Sequence, residues 1–115
     1  MSSRSPAFGV RAQAHERAHV VAPSGELDLF TVEELRAALA DRAESCDAVV
    51  LDLRGLTFFD TSGMRLVVET LRELDSTGIR FAILRGSPDV QRLFALARLD
   101  ERLPFFDDLD GALAA

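Results

Sequence analysis

The sequence predicts an α/β fold: a single domain with a mixed, mostly parallel sheet covered by helices and opened by a β-hairpin. Three observations carry that expectation. Short strand-like runs alternate with segments of helical periodicity, in the order β-β-α-β-α-β-α-β with a small helical turn at the end. The run "AVVLDL" at residues 48–53 is apolar almost throughout, as a strand buried on both faces must be. Two segments carry helix-start chemistry, "TVEEL" and "SPDV".

Each element follows in order. Residues 1–7 read as a flexible tail, residues 8–110 as the domain, and residues 111–115 as a C-terminal tail. "AFGVRAQAHE" and "HVVAPSG" are short enough to be two strands joined by a tight turn at Glu16 and Arg17. "SGELD" ends the second strand. A helix is then expected from about Val32 to Glu44, with Thr31 as its cap and Glu34 completing a capping box. Phe30 and Leu35 hold the positions of a hydrophobic staple, and Leu35 and Leu39 supply an apolar face. After the strand at 48–53, "TSGMRLVVETLRELDSTG" predicts a helix with Met64, Val67, Val68, Leu71 and Leu74 on one face and Gly78 as its stop. Its β-branched valines make that helix dependent on docking against a sheet. "IRFAILR" is another strand, and "SPDVQRLFALARL" a helix with Ser87 as cap and Pro88 at its first position. "LPFFDDLDGALAA" provides a short extended piece and a last helical turn.

Composition narrows the function classes. A chain of 115 residues with 48% hydrophobic content has enough material for its own core. Thirteen basic against nineteen acidic residues leave a net charge of −6, which argues against nucleic-acid binding and favours a basic patch on a partner. Cys46 is the single cysteine, so no internal disulfide forms and a cytoplasmic setting is expected. "MSSRSPAFGV" holds no apolar stretch of signal-peptide length, and no segment reaches the roughly 20 apolar residues of a membrane span. His15 and His19 fall on a segment that reads as strand, which makes a metal site unexpected. No cofactor is expected either.

The chemistry collects in "RGLTFFDTSG". Ligand and signalling sites of open α/β sheets lie beyond the carboxyl ends of parallel strands, and this segment reads as the exit of the 48–53 strand. Asp60, Thr61 and Ser62 begin a helix whose first N–H groups lack intrahelical partners. In the plain reading, Asp60 or Thr61 caps the helix and Ser62 faces solvent. In the functional reading, a phosphoryl group on Ser62 or Thr61 sits at the positive end of the helix dipole, and Gly63 leaves room for another protein to approach. Hydrolase chemistry finds no support: the G-x-S-x-G elbow is absent and no histidine lies in the second half of the chain. Asp52 as an aspartyl phosphoacceptor lacks an acidic pair and a lysine, since the chain has no lysine. Nucleotide-binding glycine motifs are also missing. Asp28 reads as a turn or loop cap. Of the pairs Phe58–Phe59 and Phe105–Phe106, one ring each is expected in the core. Arg65 and Arg85 read as surface groups, and Cys46 as incidental.

Taken together, "SGELDLFTVEELRAAL", "VVLDLRGLTFFDTSGMRLVV" and "SPDVQRLFALARLD" resemble the STAS family of anti-sigma factor antagonists, over about residues 8–108. The family's D-[ST]-[ST]-G motif is matched by Asp60, Thr61, Ser62 and Gly63. The resemblance implies a regulatory protein with no turnover of its own. Its unphosphorylated form binds an anti-sigma factor of the GHKL serine kinase class and so releases a sigma factor. The kinase phosphorylates Ser62 (Thr61 is the second candidate), and a PPM-type phosphatase reverses the modification. Glu26 and Asp28 of "GELD" are then expected on the docking surface with Asp60, Thr61, Ser62 and Gly63. The alternative is a STAS scaffold or partner-binding module that does not itself control a sigma factor.

Overall fold

Strand β1 (Phe8–His15) reverses through Glu16 and Arg17 into the antiparallel β2 (Ala18–Leu27), with Glu16 in left-handed backbone at φ 58°. The computed structural model that shows this describes residues 8–115; the expected tail at 1–7 lies outside the described residues. Helix α1 (Val32–Ala40) follows β2. It stops at Ala40, short of the expected Glu44, and Arg42 donates to the Leu39 carbonyl, satisfying one of the orphan acceptors at that end.

The next strand departs from expectation. Strand β3 (Ala48–Asp52) pairs in parallel with Ala18–Val21 of β2, and a further strand, β4 (Gly55–Phe59), pairs in parallel with Ser24–Leu27. Residues 55–59 are therefore a strand, where a loop leaving β3 was expected. A tight turn makes the joint: Leu56 N–H donates to the Leu53 carbonyl (3.2 Å), and the Asp52 carboxylate accepts the Arg54 N–H (3.0 Å). The turn steps the chain along β2, which serves as one splint under two consecutive strands. A bulge between Gly25 and Glu26 absorbs the register shift.

Helix α2 (Thr61–Thr77), strand β5 (Arg80–Leu84), helix α3 (Pro88–Leu96), strand β6 (Phe105–Phe106) and helix α4 (Leu109–Ala114) complete the fold. The sheet runs β1-β2-β3-β5-β6 with β4 on β2, and every pairing but β1–β2 is parallel. The mixed, mostly parallel α/β architecture is as expected. Gly78 ends α2 in left-handed backbone (φ 78°), and the Ser87 hydroxyl caps α3 by accepting the Val90 N–H.

Alternation along the strands assigns the two faces. Val49, Leu51 and Ile83 point into the main core with Leu35, Leu39, Leu66, Leu74 and Phe94 from α1, α2 and α3. Val20, Val50, Ala82 and Leu84 point the other way, onto Ala112 and Leu109 of α4. Arg80 fastens α4 by donating to the Ala112 and Leu113 carbonyls at 2.8 and 3.1 Å. That helix runs to Ala114, across most of the stretch expected to be a tail. The Phe105–Phe106 pair divides between the faces, both rings half-buried, with Phe105 on the main core and Phe106 beside α4.

The buried face of α2 is turned by about one residue from the expected stripe. Gly63, Leu66, Val67, Thr70 and Leu74 are buried, while Met64, Val68 and Leu71 lie at its margin. Thr70 fits there because its hydroxyl donates to the Leu66 carbonyl at 2.8 Å, which removes the cost of burying it.

Candidate functional site

Strands β2 and β4 end side by side, and this brings together two segments distant in sequence. Glu26 stands opposite Phe58 and Leu27 opposite Phe59, and the Asp60 N–H then donates to the Leu27 carbonyl at 3.3 Å. "GELD" and "DTSG" therefore leave the sheet as neighbours. The site lies beyond β4 and β2, not at the end of β3 as expected.

At the start of α2, Asp60 takes extended backbone and its carboxylate accepts the Ser62 N–H at 2.9 Å. Asp60, rather than Thr61, is the cap. Thr61 is exposed and Ser62 half-buried, and among the described residues no hydrogen bond holds either hydroxyl. The Ser62 N–H, in contrast, is engaged by Asp60. A phosphoryl group on Ser62 would meet that carboxylate as well as the positive end of the helix.

Gly63 has an internal role. It is buried, and a Cβ built on it would lie 2.7 Å from both Leu27 Cδ2 and Phe59 Cε1. The missing side chain makes room for the protein's own core, where sequence reasoning had it leave room for an approaching partner.

The loop between β2 and α1 is organised by Asp28. Its carboxylate accepts the N–H groups of Phe30 (2.9 Å) and Thr31 (3.2 Å). The Thr31 hydroxyl turns back into the loop, donating to the Glu26 carbonyl (2.8 Å) and accepting the Asp28 N–H (2.9 Å). Thr31 has helical backbone and no side-chain cap bond, so the expected capping box does not form. The staple fails too: Leu35 is buried, whereas Phe30 is 88% and Leu29 68% exposed. These two outward side chains were missed by sequence reasoning. The usable signal was Asp28 itself, two residues before Phe30, since an Asp side chain readily accepts the N–H two residues on and closes a turn.

The remaining candidates resolve as structure. Asp52 is paired with Arg54, at 2.9 Å to Nε and 3.0 Å to Nη2. Burial works against its charged form, but the Arg54 side-chain and backbone bonds and the Arg54 and Arg11 charges outweigh it and hold the carboxyl below its usual range. His19 donates through Nε2 to the Ala38 carbonyl at 2.8 Å, tying β2 to α1. The Cys46 thiol meets the Ala48 carbonyl. Arg85 pairs with Asp107 and lies over the Phe105 ring, while Arg65 is exposed. Phe59 is buried against Phe94 and Phe58 is half exposed, as expected of that pair. Among the described residues no cluster of His, Cys, Asp or Glu is built to hold a metal, and no helix is long and apolar enough to cross a membrane.

Comparison with known proteins matches this geometry. The STAS domain profile matches residues 10–112. An anti-sigma F factor antagonist of Paenibacillus polymyxa is 28% identical over 106 residues, covering 90% of this chain and 91% of the relative. Among solved structures, an anti-sigma factor antagonist from Mycobacterium paratuberculosis superposes with a TM-score of 0.80 at 29% identity, covering 93% of this chain and 92% of that one. The Bacillus cell fate determinant SpoIIAA, solved in its phosphorylated form, superposes with a TM-score of 0.69 at 25% identity, covering 94% and 96%. With the D-T-S-G segment at the head of α2 and a profile match over nearly its whole length, the chain belongs to the STAS domain family.

Proposed function

We propose that this protein is an anti-sigma factor antagonist whose docking is switched by phosphorylation of Ser62. The observation that carries the reading is the junction of β2 and β4, where an unengaged Ser62 hydroxyl stands beside "GELD" in a chain related to such antagonists. The unmodified chain docks through Glu26, Asp28, Asp60, Thr61 and Ser62 onto an anti-sigma factor of the GHKL serine kinase class and displaces the sigma factor. Gly63 serves this surface from inside, by letting α2 sit close to Leu27. The partner transfers the γ-phosphoryl group of ATP to the Ser62 oxygen: the new O–P bond forms, the bond to the ADP oxygen breaks, and the hydroxyl proton passes to the partner's base. The phosphate adds about −1.5 to −2 charges next to Asp60 and within an acidic surface, so the docked state is repelled and the partner recaptures sigma. A PPM-type phosphatase hydrolyses the ester and resets the cycle. This chain supplies the acceptor and the surface but no catalytic group, and it works in the cytoplasm, where ATP and sigma factors are.

The test is a pull-down with unmodified protein, followed by ATP and intact-mass measurement. Gain of one phosphoryl group with release of the partner is expected. Ser62→Ala should still bind and stay unmodified; modification of that variant to the wild-type extent would move the acceptor to Thr61.

A further inference from the structure

Resting on the functional reading above, we infer that Leu29 and Phe30 are the apolar anchor of the docking surface, and that they enter a hydrophobic pocket rimmed by basic residues on the partner kinase. Phe30, at 88% exposure, and Leu29, at 68%, are turned out at this end of the sheet beside the site, and Phe58, half exposed, stands two residues before Asp60. Their position is built. Asp28 and Thr31 lock the loop with hydrogen bonds of 2.8 to 3.2 Å to backbone groups on both sides of Phe30. A loop backbone fixed in this way loses little freedom on binding, and aromatic side chains dominate interface energetics.

The charge around the loop selects the occupant. Glu26, Glu33 and Glu34 are exposed there, and Asp28 and Asp60 add two more carboxylates. Arg36 is occupied by Glu33 and Glu69, and Glu26 and Glu34 form no ion pair among the described residues. Arg65, on the outer face of α2, is the one arginine of that helix's opening turns. A second copy of this chain would set acidic ring against acidic ring, and an anionic lipid surface would be repelled in the same way, with the chain at net −6. An apolar pocket with an Arg- or Lys-rich rim satisfies both apolar side chains and the carboxylates. Affinity and switching are then divided: the anchor supplies the first and Ser62 the second.

The chain has no Trp or Tyr, so Phe30→Trp installs a single indole at the anchor. Each purified GHKL-type anti-sigma kinase of the source organism is titrated against it, with complex formation followed separately by native mass spectrometry. Solvent-like emission in the free protein and a blue shift in the complex are expected. Phe30→Ser and Leu29→Ser should each weaken the complex, Phe30→Ser by roughly 30-fold, with unchanged urea midpoints. For Ser62 phosphorylation both should raise KM and leave kcat near wild type. Wild-type affinity in both serine variants, with solvent-like emission in a complex that native mass spectrometry confirms, overturns the anchor and leaves the functional reading standing. A blue shift driven by the protein's own concentration, or by phosphatidylglycerol vesicles, overturns it in favour of those occupants. A wild-type chain that binds none of the kinases overturns the functional reading and the anchor with it.

Discussion

Gly63 faces Leu27 so closely that a Cβ at position 63 would stand 2.7 Å from Leu27 Cδ2. The Phe59 ring is equally near on the other side, and both neighbours are buried. Overpacking of this kind costs about 1–3 kcal/mol, against a gain of roughly 1 kcal/mol from replacing Gly by Ala within a helix. Gly63→Ala should therefore lower stability by up to about 2 kcal/mol in urea titration, with the start of α2 displaced. Slower phosphorylation at Ser62 should accompany it, since the acceptor moves with that turn.

Asp60 has a capping role that can be separated from its charge. Asp60→Ala removes the acceptor of the Ser62 N–H and should cost about 1 kcal/mol. Asp60→Asn keeps an acceptor oxygen and should stay near wild-type stability. If the carboxylate also faces a basic partner, Asp60→Asn will lose affinity without losing stability, and paired denaturation and binding titrations will show the split.

The loop carrying Phe30 is held by the Asp28 carboxylate and the Thr31 hydroxyl. Asp28→Ala removes the acceptor of the Phe30 N–H, while the Thr31 N–H keeps the Asp28 backbone carbonyl, and should cost about 1 kcal/mol. Amide hydrogen exchange at residues 29–31 should accelerate while β3 and β5 keep their protection. Equal protection in the variant would mean that Thr31 alone holds the loop.

Acid stability should register the pair between Asp52 and Arg54. The folded carboxyl is held below its ordinary value, so as pH falls the unfolded chain takes up the proton first. The stabilisation is complete above the ordinary carboxylate value, near pH ~4, and is lost as pH drops through the depressed folded value. Asp52→Asn should flatten the stability profile in that acid window, measured by thermal melts from neutral pH downward.

Much of the scaffold was legible because its signals are local. Ser87 with Pro88, Gly78, and the apolar run at 48–53 each act within a few residues of the feature they specify. Strand β4 was not, because "GLTFF" has no partner in its own neighbourhood; it becomes a strand only against the second half of β2. The start of α1 offered two rival caps in "DLFT"; the Thr31 hydroxyl turned back to the Glu26 carbonyl and the Asp28 N–H, and the Asp28 carboxylate took the N–H groups of Phe30 and Thr31. The face of α2 was misplaced because Gly63 and Thr70 look polar or featureless in sequence. One is buried for its lack of volume, the other because its hydroxyl is satisfied within the helix. At the head of α2 the Asp60 cap was readable, whereas Phe30 was read as an inward staple and emerged as an outward ring.

The splinted strand makes the folded state part of the molecule's address. Glu26 and Asp28 lie more than thirty positions before Ser62 and reach it through the pairing of β2 with β4. A nascent or damaged chain displays Ser62 without its acidic companion segment, and a short peptide around residues 56–66 does the same. An enzyme that reads both segments would proofread conformation as it modifies, ignoring misfolded copies and reserving the phosphate for chains that are able to bind.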